Sequence, residues 1–143
     1  MHIHQISVFL ENRIGQLAEI TRLLADAGVD IRALSIAETS DYGLARMIVD
    51  DSYKASSILL QHGDILSMTP VWAVEVPDRP GGLADVLGDL AEAHVDVEYM
   101  YSLFGDRDGH AYMVLRISDE VAFEKALAGT GIQLVGNAEL GLK

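Results

Sequence analysis

Hydrophobic and polar residues recur along the chain with two different periods, and their order predicts its secondary structure. Residues 3–10, IHQISVFL, are rich in Ile, Val and Phe and predict a strand. Residues 15–27 predict an amphipathic helix, because their apolar residues recur every three or four positions: Leu17, Ile20, Leu24 and Ala27. Gly28 follows at the point where a helix commonly ends in the left-handed conformation.

The remaining pattern predicts two similar series of elements. The first half continues with strands at 30–39 and 44–50, a helix at 52–62 and a strand at 65–69. The second half predicts a strand at 71–76, a helix at 81–93, strands at 96–104 and 110–117, a helix at 119–128 and a strand near 132–138. The order βαββαβ, found twice, predicts the α+β class: two ferredoxin-like domains, each with an antiparallel sheet and helices on one face.

An internal repeat supports this division. The segment NRIGQLAEI (12–20) recurs 66 positions later as DRPGGLADV (78–86), and AGVDI (27–31) recurs as AHVDV (93–97). At the same offset YGLARMIVD matches DGHAYMVLR, and His94 takes the place of Gly28 as a non-glycine residue that tolerates the left-handed region. We therefore expect two domains, 1–70 and 71–143, joined nearly strand to strand without a Gly/Ser linker.

In each copy the repeated segment forms the turn between the first strand and the first helix. Gly15 and Gly81 allow the backbone to bend closely, Asn12 and Asp78 are able to cap nearby amides, and Pro80 fixes φ before the helix. The unpaired N–H groups at a helix N-terminus can hold a carboxylate or a phosphate. The residues alone leave two interpretations open, ordinary turn chemistry or a ligand site. A dinucleotide site is disfavoured because the G-x-G-x-x-G spacing is absent.

Composition narrows the function classes. The net charge is −12, from 22 acidic and 10 basic residues, which disfavours nucleic acid and anionic membranes as partners. No apolar run is long enough to span a membrane, and the N-terminus has no signal-peptide pattern, so a cytoplasmic location is expected. Cysteine is absent, which excludes disulfides and thiolate chemistry.

Other candidate sites have simpler structural explanations. His2 and His4 share one face of the first strand as a possible metal pair, and GDRDGH (105–110) lacks the complete spacing of a calcium loop. Tyr99 and Tyr101 alternate on a strand, as core and interface residues or as a wall of a ligand pocket. The repeat aligns Met47 with Met113, and both are expected in the core. We therefore expect no metal, no cofactor and no catalytic residue.

ENRIGQLAEITRLLADAGVDI and PDRPGGLADVLGDLAEAHVDV resemble the opening of ACT domains, whose pattern is Asn-Arg-Pro-Gly-x-Leu, a helix and Gly-Val-Asn-Ile. The resemblance covers both halves and identifies the chain as similar to free-standing tandem ACT proteins. It implies a regulatory module that binds an amino acid between paired domains. It is close to the serine-binding regulatory domain of phosphoglycerate dehydrogenase, in which the Asn of the turn and the Asn opening the second strand reach the ligand.

The resemblance assigns candidate ligand positions to this sequence. The two asparagines match Asn12 and Asp30 in the first copy, and Asp78 and Asp96 in the second. Three of these four residues are acidic, and Ile14 stands where Pro is usual; these departures weaken the case for serine and indicate that the two sites differ. The full candidate set is Asn12, Arg13, Ile14, Gly15, Gln16, Leu17, Asp30, Asp78, Arg79, Pro80, Gly81, Gly82, Leu83 and Asp96.

The expected mechanism combines the turn with the resemblance. The ligand carboxylate would lie over the amides of 14–17 or 81–84, and its ammonium would meet Asn12 or Asp78 and an Asp of a neighbouring domain. The chain would act as an amino-acid sensor on an unidentified regulated protein, as a homodimer and without catalysis of its own. Two alternatives are a small cofactor-free enzyme on the ferredoxin-like fold and a structural subunit that binds no ligand.

Overall fold

The computed structural model describes residues 2–11, 13–38, 41–105 and 109–143. The first six elements are β1 (Ile3–Glu11), α1 (Gln16–Asp26), β2 (Ile31–Glu38), β3 (Tyr42–Val49), α2 (Ser52–His62) and β4 (Leu66–Pro77). They are followed by α3 (Gly82–Glu92), β5 (Val97–Ser102), β6 (His110–Ile117), α4 (Glu120–Gly129), β7 (Gln133–Leu134) and α5 (Asn137–Leu140). The predicted class, α+β with two βαββαβ series, is confirmed.

The backbone divides into two compact units. One contains His4–Thr69 together with Asn137–Lys143, and the other contains Pro70–Gly136 together with His2 and Ile3. The short terminal segments therefore pack with the half of the chain that is remote in sequence. Strand β4 continues without a break across residue 70. Its residues up to Thr69 belong to one unit, and those from Pro70 belong to the other.

Each unit has the same strand order. In the first, β3 lies between β1 and β2 and pairs antiparallel with both, and β1 lies beside β4. In the second, β6 lies between β4 and β5, and β7 pairs with β4; all three pairings are antiparallel. Strands β2 and β5 are consequently the outer strands of the described sheets.

The helices cover one face of each sheet. In the first unit Ile6, Val8 and Leu10 of β1 pack with Ile20 and Leu24 of α1. The second unit has the corresponding core, in which Trp72 and Val74 of β4 pack with Val86 and Leu90 of α3 and Phe123 of α4. Met47 is buried and Met113 packs against the core of its unit, as the repeat predicted.

Backbone conformation at the helix ends follows the residue types. Gly28 after α1 and His94 after α3 adopt φ of 77° and 57°, so the predicted left-handed positions are confirmed in both copies. Helix α2 is capped by Asp51, whose carboxylate accepts from the Lys54 N–H at 3.1 Å. None of the helices in the described ranges is both long and apolar enough to cross a membrane.

Two boundary predictions were wrong. The strands expected at 65–69 and 71–76 form the single strand β4, because the intervening Pro70 fixes a φ that extended backbone accepts. The strand expected near 132–138 is only Gln133–Leu134, and the chain then turns into α5, which buries Leu140. The short apolar run before Gly136 did not distinguish a full strand from a strand followed by a helical turn.

Candidate functional site

The first repeated turn positions the N-terminus of α1 through a glycine. Gly15 has φ of 88° and caps the helix without a side-chain hydrogen bond, and its carbonyl accepts from the Glu19 N–H at 2.9 Å. Ile14, which replaces the usual Pro, is fully exposed. The backbone N–H of Arg13 donates to the Glu11 carbonyl at 2.8 Å. Asn12, the central candidate of this copy, lies outside the described residues.

The second turn has the same backbone geometry. Gly81 has φ of 86° and caps α3 without a side-chain hydrogen bond, and the Arg79 N–H donates to the Pro77 carbonyl at 3.0 Å. Asp78 is joined to the hairpin by its own backbone, since its N–H donates to the Gly109 carbonyl at 2.9 Å. The capping position of α3 belongs to Gly81, and no side chain makes a capping hydrogen bond there.

Free amides mark the start of both helices. Among the described residues no acceptor is found for the backbone N–H groups of Leu17 and Ala18 in α1 or of Leu83 and Ala84 in α3. These donors lie at the positive end of each helix dipole, where an anion is stabilised. Both turns are thus able to receive a carboxylate.

An arginine–carboxylate pair braces each turn. The guanidinium of Arg13 donates to Glu19 at 3.2 Å, and that of Arg79 donates to Asp85 at 3.0 Å. Both arginines are ligand candidates from the sequence, and their pairing with these carboxylates is an addition from the structure. The signal was present, because both copies carry an acidic residue six positions after the arginine.

The first copy extends this pair into a longer chain of charges. His62, at the end of α2, places Nε2 2.9 Å from Glu19 and Nδ1 2.8 Å from Asp64. The hydrogen bond with Asp64 raises the pKa of His62, and the Glu19 carboxylate adds to this effect. The hydrogen bond from Arg13 lowers the pKa of Glu19. Within the described ranges, the Arg79–Asp85 pair of the second copy has no such histidine.

The residues that open the two helices differ sharply. Gln16 is 7% exposed, and its Oε1 atom is buried without a hydrogen-bond partner among the described residues. Gly82 occupies the matching position, and there a Cβ atom would collide with the carbonyl oxygen of Pro77. The second turn therefore requires glycine where the first carries a buried amide.

The aspartates that open the second strands lie far from the turns of their own unit. Ile31, next to Asp30, is opposite Val49, whereas Glu11 at the turn is opposite Tyr42. Val49 and Tyr42 are seven residues apart on β3, so Asp30 and the turn are separated by about 23 Å along the strand. Asp30 binds instead to the end of β3, where its N–H donates to the Asp50 carboxylate at 2.9 Å.

Asp96 has the equivalent location in the second copy. Its carbonyl accepts from the Ser118 N–H at 3.4 Å, and Val97 lies opposite Ile117 at the end of β6 remote from the turn. Within one unit the structure therefore does not bring the turn residues together with Asp30 or Asp96.

A cavity of about 670 Å³ runs along α1 from the first turn and is lined by Gly15, Ala18, Glu19, Thr21, Arg22 and Ala25. Three further cavities could hold a ligand. The first, of about 230 Å³, lies beside the first turn and is lined by Leu10, Glu11, Arg13, Ile36, Glu38, Tyr42 and Gly43. The second, of about 170 Å³, lies beside the second turn and is lined by Glu75, Pro77, Arg79, Gly82, Asp85, Val86, Asp89, Gly131 and Ile132. A larger groove of about 770 Å³ lies between α3 and α4, and none of the turn residues lines it.

The remaining candidates have structural roles. His2 places Nε2 3.1 Å from Glu120 and its ring 4.3 Å from that of Trp72. His4 lies near the ring of Tyr53, in the other unit, so the two histidines form no pair. No cluster of three metal-ligating side chains occurs in the described part of the chain, and the proposed calcium segment falls largely on 106–108, outside it.

The tyrosines of β5 are divided between core and surface. Tyr101 is 8% exposed, Tyr99 is half-buried, and their rings stack at 6.4 Å. Neither ring lines the two cavities beside the turns.

Comparison with known proteins places this geometry in a family. A protein of Bacteroides thetaiotaomicron has a crystal structure that matches with a TM-score of 0.89 and 36% identity, covering 99% of this chain and 96% of that one. The ligand-free regulatory subunit of aspartate kinase from Thermus thermophilus shares the fold, with a TM-score of 0.63, 16% identity and coverage of 90% and 91%.

A curated relative matches over a shorter region. The acetolactate synthase small subunit of Aquifex aeolicus is 40% identical over 47 residues, which is 33% of this chain and only 24% of that protein. The family model described as an ACT domain pair matches residues 1–140. With the βαββαβ order repeated in both halves, the chain belongs to the ACT domain pair family.

Proposed function

We propose that this chain is a regulatory protein that binds a small amino acid at its repeated turns and acts on a partner protein without catalysis of its own. The observation that carries the proposal is the recurrence of one turn geometry in both copies. Each turn has a left-handed glycine, free helix amides and a braced arginine. An ordinary turn needs a cap, but it does not need an arginine fixed beside unpaired amides.

The ligand carboxylate would bind the amides expected at 14–17 or 81–84, of which Leu17 and Leu83 are free together with the adjacent Ala18 and Ala84, whereas the Gly82 N–H already donates to the Arg79 carbonyl. The ammonium would bind Asn12 or Asp78, together with Asp30 or Asp96 of a neighbouring ACT domain. Within one unit about 23 Å separates Asp30 from the turn, so Asp30 is able to reach a turn only from another domain. This separation supports a ligand that is shared between two domains. A ligand held by two domains binds their paired state more tightly than the separate state, and that difference is what an effector requires.

The partner proposed for this chain is an enzyme of amino-acid biosynthesis in the cytoplasm. One relative is the small subunit of acetolactate synthase, and one structural neighbour is the regulatory subunit of aspartate kinase. A homodimer is proposed as the functional form, since β2 and β5 are outer strands and Ile36 of β2 is 45% exposed. Size-exclusion chromatography with light scattering tests this: a monomer at every concentration, with and without ligand, contradicts it.

Thermal unfolding in the presence of each of the twenty amino acids tests the function. A ligand at a hundred times its Kd adds about 2.7 kcal/mol to the free energy of unfolding, which shifts the midpoint by several degrees. The matched variants Arg13→Gln and Arg79→Gln assign the effect to one turn or the other, and the loss of binding in an Asn12→Ala, Asp78→Ala double variant is also expected. Lys54→Gln is the control, because Lys54 is an exposed cation of α2 that lines none of the cavities beside the turns. A flat panel at millimolar ligand contradicts the proposal.

A further inference from the structure

The cavity beside the first turn, here called the Ile36 cavity, is formed by the ends of three neighbouring strands. It lies at the end of the sheet where β1 and β2 finish and β3 begins. Leu10 is opposite Gly43, and Gly43 is opposite Glu38, so these three residues point to the same face of the sheet. Leu10 belongs to the helix-facing core, which places the cavity on the side of α1 and its turn.

The walls of the Ile36 cavity are apolar on one side and charged on the other. Leu10 is buried, and Ile36 is 45% exposed although the preceding residue on its face, Leu34, packs into the core. Glu11, Glu38 and Arg13 add two negative charges and one positive charge to the lining, which Tyr42 and Gly43 complete. The volume of about 230 Å³ lies below the range of about 300–1,000 Å³ typical of larger ligands, so a single amino acid fits and a peptide does not.

The charges match the two ends of an amino acid. The side chain of Arg13 is 47% exposed. Its Nη2 atom lies 3.2 Å from Glu19 and its Nε atom 3.7 Å from Glu11, and its Nη1 group is able to bind a carboxylate. Glu11 already lies 3.7 Å from Arg13 Nε, so the carboxylate left for an ammonium is that of Glu38, which is exposed and lines the same cavity.

Gly43 leaves the space between these groups open. A Cβ atom at Gly43 would lie 3.6 Å from the Leu10 Cβ atom, an ordinary contact, and the residue does not have a left-handed φ. The fold therefore accepts alanine at this position. Glycine in a strand costs stability relative to alanine, and at this position it leaves room beside Leu10.

We infer that the Ile36 cavity selects an amino acid with an aliphatic side chain. The inference rests on the proposed function and names the ligand class of its first turn. The side chain enters between Leu10 and Ile36, over Gly43. Its carboxylate meets Arg13 in addition to the free helix amides, and its ammonium meets Glu38 in addition to the partners proposed above. A polar side chain would lose its water contacts against these walls without replacing them.

Isothermal titration with valine, leucine, isoleucine, serine, aspartate and lysine tests the ligand class. Leucine, isoleucine or valine is expected to bind at least about tenfold more tightly than serine, since two or three additional methylene-sized groups are buried. Gly43→Ala should weaken aliphatic binding by about tenfold, and Gly43→Val should abolish it, because both fill the cavity. The midpoint of thermal unfolding of Gly43→Ala without ligand should be unchanged or raised.

Gly88→Ala is the matched control. Gly88 is exposed on α3 with no atom near its missing Cβ, so alanine should raise stability and leave binding unchanged. Tightest binding of serine, aspartate or lysine, with no effect of Gly43→Ala, overturns this inference and leaves the proposed function intact. No binding of any amino acid overturns both. If Gly43→Val disrupts the fold, its unfolding curve will show this. The ligand affinity of Gly43→Ala then tests the inference.

Discussion

The Nε2 atom of His62 lies 2.9 Å from a carboxylate oxygen of Glu19, so the end of α2 is tied to the first turn of α1. The second ring nitrogen lies 2.8 Å from Asp64, and hydrogen bonding to Asp64 and then to Glu19 raises the pKa of His62 above its ordinary 6.5. An imidazolium donates to both carboxylates at once, whereas the neutral ring donates to only one. His62 therefore donates hydrogen bonds to both Glu19 and Asp64 only when its ring is protonated.

This arrangement predicts a stability that depends on pH. Because the folded-state pKa of His62 is raised, its contribution is fully present below pH 6.5 and is lost as the pH rises through the folded value. The thermal midpoint should fall over that window in the wild type and change less in His62→Gln. The pKa of Glu19 is lowered by Arg13, so its contribution is present above 4.5 and lost as the pH falls further. If the thermal midpoints of wild type and His62→Gln changed identically with pH, the proposed contribution of protonated His62 to stability would be contradicted.

The opening residues of α1 and α3 give opposite mutational predictions. Gln16→Met removes a buried Oε1 atom that lacks a partner and keeps a similar volume, so the free energy of unfolding should be unchanged or rise by about 1 kcal/mol. Gly82→Ala should lower it by about 1–3 kcal/mol or more, because the new Cβ atom meets the Pro77 carbonyl. Urea unfolding measures both. A loss of more than about 1 kcal/mol in Gln16→Met would show that the amide has a bound partner.

The ends of α1 and α3 provide a matched pair across the repeat. His94 holds φ of 57°, a conformation that costs a residue with a Cβ atom roughly 1 kcal/mol, so His94→Gly should stabilise by up to about that amount. Gly28 holds φ of 77°, and Gly28→Ala should destabilise by about 1–2 kcal/mol although no atom lies within 4 Å of the missing Cβ. Chemical denaturation of both variants checks the sign. Equal effects of the two substitutions would mean that side-chain contacts, not φ, determine the change in the free energy of unfolding.

The regular elements of this chain could be predicted from its sequence because hydrophobic period and turn residues agree locally. The stripe of Leu17, Ile20 and Leu24 predicted α1, and Gly28 predicted its end. The two strands expected on either side of residue 70 are one, since the φ of Pro70 is compatible with extended backbone and does not end the strand. Helix α5 was missed because four residues are too few for a periodic pattern.

The candidate site was predictable only in part. The repeated motif located both turns and their glycines, since a left-handed φ favours that residue type. The link from Glu19 to His62 was not predictable, because those residues are 43 positions apart and only the packing of α1 and α2 brings them together. The Ile36 cavity likewise depends on strand register, which sets Leu10 opposite Gly43.

The packing of Leu140 predicts that the last residues stabilise the unit that begins the chain. Leu140 is 2% exposed, and the Lys143 N–H donates to the Asp50 carbonyl at 2.7 Å, at the end of β3. Leu140→Ala should lower the free energy of unfolding by about 2–5 kcal/mol, whereas Leu60→Ala, at a residue 59% exposed on α2, should cost well under about 1 kcal/mol. Urea unfolding gives the magnitudes, and amide exchange gives the location. Protection should fall first in β3 (Tyr42–Val49), because α5 and β3 belong to one unit. A loss confined to β6, or a Leu140→Ala cost no larger than that of Leu60→Ala, would mean that the C-terminal segment does not contribute to this core.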